Sequence, residues 1–375
     1  MSTAAPTPRF LMISAHHDYR TARRSSIHFI ADELARRGTL RFFSMRYSQL
    51  SRHKGDIRLE LDGRANQVET QDGVACFLWK TPLHPINLHS PALRPLESLL
   101  FGLYRNTPCP TLEAWMRDAD VIIYESGITP VLFDLAKRLN PRARHIYLCN
   151  DDLETIDAAH YAMLTLDRVA PQMDVVALVA RSMASSLPAT ANAYFVPHGL
   201  DPSLDALGDP SPYGPGQHVV SIGSMLFDVD FFAVASHAFP ALSFHVIGSG
   251  HPRSDSYGPN VEVYGHMPYN NTIRYIKHAL VGTAPYRGDH VPPYLADSSM
   301  KMMQYDFFGL PTVCPTSVVG DHSGRFGYTP GDPASIRAAM MLALAAPRQR
   351  SRQILSWSEV TDRLLQPQDF ADTRL

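Results

Sequence analysis

The chain has 375 residues and a formal net charge of −2, which is length enough for two domains with full cores and no excess of positive charge of the kind that marks a nucleic-acid partner. Its hydrophobic content of 45% and charged content of 19% are those of an ordinary globular protein. No apolar run reaches the ~18 residues that a membrane-spanning helix needs, which excludes a helical integral-membrane fold.

Short apolar runs alternate with amphipathic stretches from the start. Residues 10–15 (FLMISA) predict a parallel strand, and the loop after it carries His16, His17, Asp18 and Arg20, at the strand end where open α/β sheets bind ligands. Residues 26–37 predict a helix with Ile27, Ile30 and Leu34 on one face. Strands at 41–44, 74–79, 121–124, 145–148 and 175–179 follow, with helices at 96–104, 130–139 and 155–169. A Pro-, Gly- and Asp-rich segment, 201–216, reads as a linker. Beyond it the alternation restarts, with strands at 218–222, 244–247, 261–264 and 281–285 and helices at 231–239, 272–278, 335–345 and 356–365. The expected fold class is α/β, with two Rossmann-like doubly wound domains, 1–205 and 206–355.

Charge and cysteine usage bear on location. Residues 1–150 hold 20 Lys and Arg against 14 Asp and Glu, and the rest of the chain holds 14 against 22. A basic first half predicts an anionic surface as partner. Arg36, Arg37, Arg41, Arg46, Arg52, Lys54 and Arg58, with Phe42, Phe43, Tyr47, Leu50 and Trp79 nearby, are the expected contacts with an anionic membrane. The four cysteines, Cys76, Cys109, Cys149 and Cys314, show no C-x-x-C spacing and predict free thiols in a reducing compartment. Residues 1–9 are short, polar and Pro-rich, unlike a secretory signal. The expectation is a cytoplasmic protein, or one attached peripherally to a membrane from its cytoplasmic side.

The stretch 294–315 (YLADSSMKMMQYDFFGLPTVCP) organises the second half. It predicts a loop, a short helix capped by Asp297 or Ser298, a stop at Gly309 with Pro311 beyond, and a buried strand at 312–314. Lys301 and Gln304 share one face near the helix N-terminus, where a cation makes sense if a diphosphate also sits there. The structural alternative is an amphipathic helix with Met300, Met303 and Phe307 in the core and Lys301 solvated. Gly223-Ser224-Met225 and Gly248-Ser249-Gly250 each close a strand in the same half, and a Gly-rich turn lets backbone N–H groups approach a phosphate. In the first half Asn150-Asp151-Asp152 follows a strand, as does Glu125, so three carboxylates compete for the role of a general base. Helix capping is the alternative for the Asp pair. The Asp151-Asp152 pair is not a D-x-D metal motif and no His/Cys cluster has metal-ligand spacing, so catalysis without a bound metal is expected, and no cofactor.

The ordered run S-x-K-x-x-Q-x-x-x-x-G-x-P resembles the nucleotide-sugar signature of two-domain (GT-B) glycosyltransferases. SSMK, QYDFFGLP, HVIGSG, GSMLFD, RFGYTPG and GDPSPY together resemble the membrane-associated UDP-glucuronate beta-glucuronosyltransferases of xanthan biosynthesis, the GumK family, from about Ile13 to Leu375. The resemblance implies two domains facing across a cleft, with the terminal segment 356–375 returned to the first. It implies inverting transfer of glucuronate from UDP-glucuronate to a mannose-terminated, polyprenyl-diphosphate-linked oligosaccharide in exopolysaccharide synthesis. It places Ser224, Met225, His266, Met267, Tyr286, Met300, Lys301 and Gln304 around the nucleotide, with His266 where the family has Glu. It puts the base on Asp151, with Asp152 where the family has Gly. Asp152 then binds sugar hydroxyls or raises the pKa of Asp151, and Arg23 meets the uronate or the acceptor. Pro197-His198-Gly199 resembles the interdomain turn. Two rivals follow from the departures: a transferase for another UDP-sugar, and a nucleotide-sugar-binding module without catalysis.

Overall fold

The computed structural model describes residues 7–53, 56–201, 203–288, 291–350 and 354–375, so Lys54 lies outside it, as does the side chain of Arg52. The chain divides into two compact units, Met1–Pro197 with Trp357–Leu375, and His198–Ser356. Each is a sheet between helices. The first holds strands β1 (Arg9–Ser14), β2 (Thr39–Ser48), β3 (Val68–Gln71), β4 (Val74–Thr81), β5 (Val121–Glu125), β6 (Arg144–Cys149), β7 (Val175–Leu178) and β8 (Ala193–Phe195), in the order β3-β4-β2-β1-β5-β6-β7-β8. Every pairing is parallel except the β3–β4 hairpin at the edge. The central strands are buried on both faces, which is why FLMIS and IYLC read as continuous apolar runs rather than alternating ones. The second unit holds β9 (Gln217–Ile222), β10 (Leu242–Ile247), β11 (Val261–Tyr264), β12 (Val281–Thr283), β13 (Thr312–Pro315) and β14 (Arg325–Tyr328), all parallel, in the order β11-β10-β9-β12-β13-β14. Both orders reverse beside the first strand of their sheet, the doubly wound pattern.

Four expectations change. The helix expected at 155–169 begins at His160, because Asp157 takes a positive φ of 54° and the preceding residues fold as turns. The helix of the organising stretch is Met300–Phe308, with Ser299 as its N-cap rather than Asp297 or Ser298, which belong to a separate short helix, Leu295–Ser298. The segment 201–216 is no free linker. Leu204 is fully buried in the second core, and Tyr213 stacks on His218 at 4.3 Å and donates a hydrogen bond to the Tyr275 carbonyl at 2.7 Å. Leu200 and Leu204 join that core, so the division falls at 197/198 instead of 205/206.

The fourth change concerns the basic stretch. Arg36 pairs with Glu33, Arg37 with Asp362, and Arg41 with Asp118. Arg58 is 1% exposed, and Phe42, Phe43, Tyr47 and Trp79 are core residues. Arg46 is half-buried beside His16. Side chains expected on a membrane-facing patch are therefore largely spent inside the first unit. The helix Trp357–Leu365 packs on the helix Ser26–Arg37, through a Phe29–Trp357 stack at 5.2 Å and the Arg37–Asp362 pair.

Candidate active site

In the first unit the sheet reverses between β1 and β5, so the loops leaving these strands part at their C-terminal ends. β1 delivers His16 and His17, β5 ends on Glu125, and β6 leads to Asp151. Glu125 is 3% exposed and accepts hydrogen bonds from the Ser14 hydroxyl and from His17 Nδ1, the latter at 2.8 Å. The His17 backbone N–H donates to Ser14 Oγ at 2.9 Å, closing the triangle. Burial alone would raise the Glu125 pKa, but the His17 charge and the hydrogen bonds of His17 and Ser14 hold it below the usual carboxylate range. Burial likewise pulls His17 down, and the charge and hydrogen bond of Glu125 more than offset this and raise it. Each thus favours the charged form of the other, across a contact that is buried on the Glu125 side and partly exposed on the His17 side. His16 differs: burial, then Arg46 beside it, push its pKa down to about 3, so it is neutral.

The Asp pair splits in role. Asp152 Oδ1 accepts from the backbone N–H groups of Glu154 and Thr155, each at 3.0 Å, and from the Thr155 hydroxyl at 3.3 Å, which closes the turn that follows. Asp151 is half-buried, and no described residue donates a hydrogen bond to its carboxylate. Burial, then the charge of Glu125, with a smaller push from Asp152, raises its pKa to about 6. A carboxylate so raised can take a proton near neutral pH. Glu125 is already committed to Ser14 and His17. Arg23 is exposed and lines a pocket of about 340 Å³ with His16 and His17.

The second unit reverses between β9 and β12. Gly223 follows β9 with φ +88°, and a Cβ there would lie 3.9 Å from Lys301 Cε. A Cβ on Gly250 would lie 3.7 Å from Ser224 Cβ, and one on Gly248 would lie 4.0 Å from His266 Cα. Three turns far apart in sequence thus lie within contact distance of one another. Lys301 stands in the first turn of the helix Met300–Phe308, whose N-cap Ser299 makes no side-chain capping bond. The ammonium lies 4.7 Å over the Tyr286 ring, and Nζ is buried without a hydrogen-bond partner. Burial lowers its pKa to about 8. A buried, unpartnered cation beside a helix N-terminus and glycine turns is an arrangement that can hold an anion.

The remaining predicted nucleotide residues divide. Ser224, Met225 and His266 are exposed, and Met267 and Met300 are partly buried against the second core. Gln304 is 6% exposed, with Nε2 at 3.5 Å from the Tyr269 hydroxyl. Tyr286 is 1% exposed and its hydroxyl is bonded to Ser299 Oγ at 2.8 Å, so it offers no free face to a base and instead supports Lys301. The helix is fastened by Arg325, which pairs with Asp306 at 2.7 Å and donates to the Ala296 carbonyl at 2.6 Å. Among the described residues, no group of three His, Cys, Asp or Glu side chains could hold a metal ion.

The family model for the glucuronosyltransferase GumK N-terminal domain matches residues 12–179. A UDP-glucuronate:glycolipid 2-beta-glucuronosyltransferase of Xanthomonas campestris pv. campestris is 55% identical over 380 residues, an alignment that spans 100% of this chain and 95% of that protein. The chain belongs to the GumK family of glucuronosyltransferases. Among solved structures, the UDP-forming alpha,alpha-trehalose-phosphate synthase of Burkholderia xenovorans, in complex with glucose-6-phosphate, is similar in fold. Its TM-score is 0.64 at 11% identity, covering 96% of this chain and 100% of that one. The glycotransferase of kitacinnamycin is similar with a TM-score of 0.54 at 14% identity, covering 96% of each chain. The fold is GT-B, and this GumK-family chain is a glycosyltransferase. Its sequence alone left the His17–Glu125 pair unread, since its members stand 108 residues apart. The signal that could have found it is positional: both end strands that neighbour each other across the switch point.

Proposed function

We propose that this GumK-family enzyme transfers glucuronate from UDP-glucuronate to a mannose-terminated, polyprenyl-diphosphate-linked oligosaccharide, with inversion at the anomeric carbon and without a metal. Lys301 carries the reading: its buried, unpartnered ammonium at a helix N-terminus supplies the counter-charge that a leaving diphosphate needs. Asp151, with its raised pKa, takes the proton of the acceptor hydroxyl as that oxygen attacks the anomeric carbon, and the bond to the diphosphate oxygen breaks. Ser224, Met225, His266, Met267, Met300 and Gln304 complete the nucleotide side, and Arg23 meets the uronate or the acceptor.

A peripheral seat on the cytoplasmic face of the inner membrane goes with a glycolipid acceptor, the acceptor class of the Xanthomonas relative. No helix among the described residues is long and apolar enough to cross a membrane. The helix Arg94–Arg105 instead carries Leu96, Leu99 and Leu103 on one exposed stripe, 46%, 58% and 62% exposed, behind an exposed Arg94. Its other face is anchored by Phe101 and Tyr104. An apolar stripe with a cationic end fits the headgroup boundary of an anionic leaflet.

The test is turnover with a panel of UDP-sugars on membrane glycolipid acceptor, with and without a chelator. UDP-glucuronate should give a beta-linked product that survives chelation. Preference for another UDP-sugar would overturn the donor assignment, and loss of activity with chelator would overturn metal independence. Absence of any product while UDP still binds would leave a non-catalytic binding module.

A further inference from the structure

The pocket of about 340 Å³ in the first unit is lined by His16, His17, Arg23, Arg46, Arg58 and His84, with Asp56 as its only carboxylate among the described lining residues. The charges there do not balance. Arg58 spends all five of its N–H groups. Nε and Nη2 meet Asp56 at 2.9 and 2.7 Å, and the other donors meet the carbonyls of Ala15, Met45 and Arg46 at 3.3, 2.8 and 3.3 Å. That pairing consumes Asp56 and removes Arg58 as a ligand-binding group.

Arg46 is left over. Its Nη1 approaches the ring nitrogens of His16 at 3.2 and 3.3 Å, its Nε is buried without a hydrogen-bond partner, and no described carboxylate lies within ion-pair distance. His16 is neutral, so it can accept a hydrogen bond but cancels no charge. The backbone shows why the side chain is there. Arg46 takes φ +59° at the register shift between Ser44 and Tyr47, where β2 bulges against β4, and its N–H leaves the ladder to donate to the Tyr104 hydroxyl at 2.8 Å. A non-glycine residue at positive φ in a bulge re-aims a side chain at a cost, and such costs collect at functional sites.

We infer that this pocket is an oxyanion subsite, in which Arg46 grips a phosphate or carboxylate group in the fork of its guanidinium, with the exposed Arg23 joining from the pocket wall. A half-buried cation without a counter-ion is costly to the free protein, and an oxyanion removes that cost while using the spare donors. Glucuronate transfer offers two sources for the anion, the sugar acid itself and the phosphates of the lipid linkage. The choice of sources rests on the transferase reading, whereas binding of an oxyanion here does not.

The experiment is calorimetry on the full chain with UDP at saturation, so that the glycine turns near Lys301 are filled. Inorganic diphosphate, free glucuronate and free glucose are titrated in turn. Diphosphate, glucuronate or both should bind while glucose does not, and Arg46→Met should weaken the binding about ten- to a hundredfold, the loss expected of a charge-assisted contact. Diphosphate alone assigns the site to the lipid linkage, and glucuronate alone assigns it to the sugar acid. Circular dichroism checks that the variant is folded. If Arg46→Met does not fold, Arg46→Lys, which keeps a cation but loses the fork, should weaken binding at least severalfold. No binding of either anion, or equal binding by wild type and the folded variant, overturns the inference. Failure of UDP itself to bind would count against the transferase reading and leave the anion titration to stand alone.

Discussion

Replacing Lys301 with Met should stabilise the free protein and cripple its nucleotide binding. Burial lowers the ammonium pKa from 10.5 to about 8. At pH 7 both the folded and the unfolded protein hold the proton, so the folded state carries a penalty of about 3 kcal/mol. The contact with Tyr286 returns about 1 kcal/mol. Methionine keeps most of the volume and discards both terms, for a net gain of about 2 kcal/mol, or roughly 4–8 °C in the melting temperature of a unit this size. The size of the gain depends on pH. Between pH 8 and 10.5 the unfolded chain binds more protons than the folded one, so wild-type stability rises with pH and the gap to the variant closes. Melting curves at pH 7 and pH 10, together with calorimetric UDP affinity, make the check. UDP should bind the variant about ten- to a hundredfold more weakly. A variant that melts below wild type at pH 7, or that binds UDP as tightly, would show that Lys301 is neither strained nor reserved for an anion.

Asp151→Asn should lower turnover about 10²–10⁴-fold and leave UDP affinity unchanged. Wild-type kcat/KM should fall as pH drops through about 6, where Asp151 protonates; a flat acid limb would remove Asp151 as the base. Glu125→Gln, which deletes the neighbouring charge, should move that limb to lower pH, and an unmoved limb would refute the coupling. Changing Leu99 and Leu103 to Asp should abolish sedimentation with anionic vesicles while shifting stability by no more than about 0.5 kcal/mol per exposed site. Arg58→Glu should fail earlier, at folding: it breaks a buried, fully paired guanidinium, at a cost of about 3–5 kcal/mol, read by thermal melting.

What could be read from the sequence was what is decided locally. Gly309 is legible as a left-handed helix stop because the chemistry of that turn is contained within a few residues, and it takes φ +66°. The doubly wound alternation was legible for the same reason, since buried parallel strands are short apolar runs. The β3–β4 hairpin went unread although Asp72-Gly73 is a strong hairpin signal, with φ +50° and +81°. Its first strand, VETQ, is too short and polar to stand out. The basic stretch misled because its partners are remote: Arg41 meets a carboxylate 77 residues away and Arg37 one 325 residues away. A run of arginines in sequence says nothing of which are neutralised in the fold. In the site, Lys301 was legible from its helix, but the isolation of Arg46 was not, because that depends on which carboxylates others have already taken.

The return of the helix Trp357–Leu365 to the helix Ser26–Arg37 has a consequence for synthesis. The second unit is an insertion within the first, and its two ends meet where the Leu200 N–H donates to the Leu355 carbonyl at 2.9 Å. A ribosome releases the first eight strands early, yet the surface that Trp357 and Asp362 cover stays open until the whole of the second unit has emerged. The part of the protein made first is therefore the part finished last. A nascent chain halted after Ser356 should present a complete second unit beside an unclosed first one, with Phe29 bare to whatever chaperone waits at the tunnel exit.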